Sequence, residues 1–163
     1  MKQRIFLNCT ILVLALAATQ TIVSAQETPG LEGVWFADVT AVDCQTGAVI
    51  PNVMPFRGLY MFSHDGSLTN EAAFFVPNTP RRSSGLGTWR HTQDHTYTAA
   101  FRFFRYNNLD GSFLVMRKVT TTIVLNGDHF TSMDRFQDFD ANNNPISSVG
   151  STGCNIVTAI RLQ

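Results

Sequence analysis

The stretch Ser112–Asp138, SFLVMRKVTTTIVLNGDHFTSMDRFQD, decides the fold. Two runs of mixed apolar and polar residues flank Asn126-Gly127-Asp128. A side-chain period of two on both sides of such a turn marks a hairpin of antiparallel strands. The same unit recurs outward from this point. His64-Asp65-Gly66-Ser67, Gln93-Asp94-His95, Asn107-Asn108-Leu109-Asp110-Gly111 and Asp140-Ala141-Asn142-Asn143-Asn144 are further turns, each between strand-like runs. A meander of this length must hide its two edges, and closure into a ring does so.

Eight strands follow from this rhythm: Leu31–Cys44, Pro55–His64, Ser67–Phe75, Leu86–Thr92, Thr96–Arg105, Ser112–Leu125, His129–Asp138 and Gly153–Leu162. Gln45–Met54 and Val76–Gly85 read as long loops. No stretch after residue 30 has a period of 3.6. The expected fold is therefore all-β, a single eight-stranded antiparallel up-and-down barrel.

The amino terminus reads as an address. Met1-Lys2-Gln3-Arg4 is basic, Ile5–Val23 is mostly apolar, and Val23-Ser24-Ala25 has the small-x-small pattern of a cleavage site. Residues 1–25 are expected to be a secretory signal peptide, and residues 26–163 the barrel domain. The protein would be secreted or periplasmic, with no membrane attachment after cleavage. Without Lys2 and Arg4 the chain carries ten formal positive charges against twelve negative. That balance leaves no footprint for nucleic acid.

Two cysteines remain after cleavage, Cys44 and Cys154. In an oxidising compartment they most simply pair. One ends the first strand and the other begins the last, and those strands are neighbours in a closed ring. His64, His91, His95 and His129 all fall in or beside turns, so no metal site is expected. No nucleophile elbow or phosphate-binding glycine loop occurs, and no cofactor is expected.

The barrel interior is the candidate site. Several strands are apolar on both faces. Either the outer wall packs against another subunit or against loops, or the interior is a mixed polar and aromatic pocket. Polar residues on otherwise apolar faces stand out: Asp38 beside Phe36, Arg102 between Ala100 and Phe104, Arg117 between Val115 and Val119, and Asp134 beside Phe136. A buried charge must be paired, so at least one Arg–Asp pair is expected inside the barrel or at its mouth. Phe36, Asp38, Phe101, Arg102, Phe103, Arg117, Asp134 and Phe136 are the candidate ligand-binding residues. No catalytic residue is assigned.

Gly33-Val34-Trp35 on the first strand and Arg161 on the last resemble the lipocalin and wider calycin pattern. That resemblance implies a barrel plugged at one end, with the arginine packed across the indole of Trp35. Gly87-Thr88-Trp89 repeats the motif. Together with an aromatic strand and the Leu125-Asn126-Gly127-Asp128 hairpin, it is similar to secreted bacterial barrels of the allene oxide cyclase group. Three functions are carried forward. The first is a module that binds a small, largely apolar molecule. The second is a cofactor-free cyclase or isomerase in which a buried Arg–Asp or Asp–Tyr set handles a proton. The third is a structural barrel, filled by its own side chains and packed as a homo-oligomer.

Overall fold

The computed structural model describes residues 30–73 and 80–163. The expected signal peptide, residues 1–25, lies outside them, as do Phe74 and Phe75 at the end of the expected third strand. The strands are β1 (Gly33–Val42), β2 (Phe56–Phe62), β3 (Ser67–Ala73), β4 (Arg81–Arg82), β5 (Gly85–Gln93), β6 (Thr96–Tyr106), β7 (Phe113–Asn126), β8 (His129–Phe139) and β9 (Thr152–Arg161).

Eight of them form the meander that the turns announce, all neighbours antiparallel. The ring closes where β1 meets β9, from Trp35 opposite Arg161 to Val42 opposite Cys154. The two-residue β4 was not expected. It lies in what the sequence presented as a plain loop and pairs with the far end of β6, Arg82 opposite Arg105. The loop after β1 is also more ordered than expected. Asp43 Oδ1 accepts from the Gln45 and Thr46 amides, and the chain turns back so that Val49 bridges to Val42.

Strand parity separates the two walls. Trp35, Ala37 and Val39 point inward, as do Tyr97, Ala99, Phe101 and Phe103 on β6. Their partners in the core are Tyr60, Phe62, Leu68, Ile123, Leu125, Phe130 and Val157. Outward, Val34 faces Met61 while Phe36 lies between Leu59 and Ile160. Those outer side chains remain partly exposed.

Trp35 closes one end of the ring. It is fully buried, donates Nε1–H to the Leu31 carbonyl at 2.9 Å, and meets Phe130 edge-on at 5.0 Å. The Arg161 guanidinium lies 4.2 Å from the indole centre. It donates to the carbonyls of Gly30 and Glu32 and to Asp128. Gly33 makes this possible: its φ is 120°, and a Cβ would stand 3.0 Å from the arginine. Gly87, which opens the second Gly-x-Trp, has another reason. A Cβ there would lie 2.0 Å from the Ala100 carbonyl, so only glycine lets β5 approach β6 so closely.

Cys44 and Cys154 are joined, with their Cα atoms 5.2 Å apart. Cys154 is buried, and Cys44 lies at the surface. None of the helices that would be long and apolar enough to cross a membrane occurs among the described residues.

Candidate functional site

The half of the barrel near Trp35 is packed solid with aromatic rings, among them Tyr60, Phe62, Trp89 and Phe130. The opposite half is open among the described residues. It holds a cavity of about 470 Å³, within the range of small-molecule sites. A filled interior therefore describes only the closed end.

The cavity is built by inward-facing positions on consecutive strands. Val39, Phe101, Phe103, Val119 and Phe136 give apolar walls. Tyr60 and Asp134 form its floor. Ile50, Val53 and Met54 from the loop after β1 lean over one side of the mouth, and β4 borders another.

Asp134 is buried with 3% of its surface exposed. The Ser132 hydroxyl donates to it at 3.0 Å. The Tyr60 and Thr121 hydroxyls also face it and favour its ionised form, although Thr121 Oγ1 falls short of hydrogen-bonding geometry. Burial outweighs these donors and pushes the carboxyl up to about 6. Tyr60 is raised well above its ordinary value, first by burial and then by Asp134, so it remains a neutral donor.

This raised value has a measurable consequence. Between its unfolded value of 3.8 and about 6, the folded protein binds the proton that the unfolded chain releases. Stability contributed by Asp134 is thus full below pH 4 and falls as pH rises to about 6. Near neutrality the ionised group costs on the order of 2–3 kcal/mol. Asp134→Asn is expected to raise the unfolding free energy at pH 8 by roughly that amount, with the gain vanishing near pH 4. Urea unfolding of both proteins across pH 4–8 reads it directly. A variant less stable than wild type at pH 8 overturns the assignment.

The mouth is cationic. Arg117 donates Nε–H and Nη2–H to Asp138 at 2.6 and 2.8 Å, with its guanidinium 3.8 Å over Phe136. This is the expected Arg–Asp pair, formed with Asp138 and not with Asp134. Arg82 lies 3.8 Å over Phe103 and donates Nη2–H to the Asn70 side chain at 2.8 Å. Burial, only partly offset by Tyr60 and Glu71 and reinforced by Arg117 and Arg105, brings it to about 10. Arg105 is lowered mainly by burial and next by Arg117.

The structure brings Phe101, Phe103, Arg117, Asp134 and Phe136 together around this cavity. It places Phe36, Asp38 and Arg102 elsewhere, and their expected inward position is corrected. Asp38 is on the outer wall in an exposed pair with Arg57 at 3.3 Å, and the same arginine lies 5.5 Å from the Phe36 ring. Arg102 points outward opposite Lys118, one residue out of phase with Phe101 and Phe103. The sequence reading missed Tyr60, Asn70, Arg82, Arg105 and Asp138. Parity could have found Asp138, which shares a face with Asp134 and Phe136. Arg82 had no signal, because β4 lacks a period of its own. A scan against protein-family models and a search of curated proteins both find no match to this chain.

Proposed function

We propose that the protein is an exported barrel that binds one small, largely apolar molecule in its open half. The observation that carries this reading is the aromatic cavity of about 470 Å³, closed at its inner end and open at the other. Phe101, Phe103 and Phe136 provide the apolar walls, and a few polar groups converge on the space, which is the ordinary build of a ligand pocket. Export is supported by the signal-like residues 1–25 and by the Cys44–Cys154 disulfide.

Native mass spectrometry of protein purified from its own secretome tests this. The expected spectrum shows the disulfide-bonded chain with an additional small mass that organic solvent releases. A bare chain that also takes up no hydrophobic dye overturns the reading.

Asp134 favours a second reading, a cofactor-free isomerase or cyclase. A carboxyl held near pH 6 beside a neutral tyrosine can exchange a proton at physiological pH. The same experiment separates the two. A released molecule that the protein converts, on re-addition, into an isomer of equal mass supports catalysis. One that returns unchanged supports carriage alone.

A further inference from the structure

Four arginines line the cavity, and their guanidinium groups are not equivalent; Arg81 is exposed and donates Nε–H to Asn108. Arg117 is held by both oxygens of Asp138. Arg82 commits Nε to the Ser83 carbonyl and Nη2 to Asn70, and its plane rests on Phe103. The Arg105 side chain makes no hydrogen bond or ion pair among the described residues. It nevertheless lines the cavity from the inward face of β6, opposite Arg82 across the β4–β6 ladder.

The charges around this rim do not balance. Asp138 is bonded to Arg117 and favours the charged form of Arg105 only through space. Glu71 attracts Arg82, but it lies on the outward face of β3, beyond the cavity wall. Asp134 lies at the floor. A partly buried arginine with no bonded counter-charge is costly, and it gains from an anion that reaches it from an apolar site. Guanidinium forks favour oxyanions that accept two parallel N–H bonds.

We infer that the ligand is an amphiphile with an anionic head, of the carboxylate kind, which docks on Arg105 and the unengaged edge of Arg82 while its apolar body extends inward between Phe103, Phe136 and Val119 toward Tyr60. This inference rests on the pocket reading above and adds the polarity and direction of the occupant. Arg105 supplies the principal bond. Arg82, clamped by Asn70 and Phe103, supplies a fixed second donor. Arg117 remains engaged with Asp138 and shapes the rim.

Titration calorimetry with dodecanoate and dodecanol at pH 8 tests it on the disulfide-bonded protein, since the two probes share a tail and differ in the head. Dodecanoate is expected to bind at least ~10-fold more tightly, as a charge-assisted bond of this kind allows. Arg105→Gln is expected to weaken dodecanoate ~10-fold and leave dodecanol unchanged, and Arg105→Lys to fall between. Equal affinity for the two probes overturns the inference and leaves the pocket intact, as does an Arg105→Gln variant that binds dodecanoate like wild type. Failure of both probes to bind overturns the apolar pocket itself, and the inference with it. The comparison on the unaltered protein stands whether or not the variants fold.

Discussion

Trp35→Ala is expected to lower the free energy of unfolding by about 4–5 kcal/mol, the largest effect of any single side chain in the barrel. The indole has no exposed surface, and truncating a buried tryptophan typically costs about 3–5 kcal/mol. Two further losses follow from its position. The Leu31 carbonyl loses its donor, and Arg161 loses the ring beneath it, worth about 1 kcal/mol. Small domains have only about 5–15 kcal/mol in total, so the variant should be near the edge of folding at room temperature. Arg161→Ala is the informative companion. It leaves the core packed but frees the carbonyls of Gly30 and Glu32 and the Asp128 carboxylate, and a loss of about 2 kcal/mol is expected. Urea unfolding followed by circular dichroism measures both. A Trp35→Ala loss below 1 kcal/mol would show that the indole is not the keystone of the closed end.

Removing the disulfide is expected to cost about as much. Cys44 and Cys154 are 110 residues apart, and in the chain-entropy model a loop of that length restricts the unfolded chain by about 5 kcal/mol. Cys44→Ala combined with Cys154→Ala should therefore lower the midpoint of urea unfolding steeply. The bond also anchors the segment that carries Ile50, Val53 and Met54 over the mouth. On the pocket reading, the reduced protein should consequently bind a ligand more weakly, even where it remains folded. Equal affinity in the oxidised and reduced proteins would show that this loop does not wall the pocket.

The fold was legible because its signals are local and repeated. Asn126-Gly127-Asp128 needs no distant information to become a hairpin, and Gly127 takes the positive φ that such a turn demands. Closure was legible from the cysteines at the two ends of the meander. The site was harder. Phe101, Arg102 and Phe103 are successive residues, and a strand cannot turn all three inward. Trp35 fixes the phase of β1 and thereby sends Phe36 and Asp38 outside. Two amphipathic walls hide this phase, because Phe36 and Phe104 are apolar yet outward. Arg82 was beyond reach for a different reason: its place beside Phe103 depends on β4 pairing with β6, a contact no nearby residue foretells.

The plug at Trp35 makes the chamber a cul-de-sac. Whatever goes in must come out by the same doorway, past Arg82, Arg105 and Arg117. On the pocket reading, bulk added at that threshold would slow arrival and departure together, and where it displaced Arg82 or Arg105 it would weaken affinity as well.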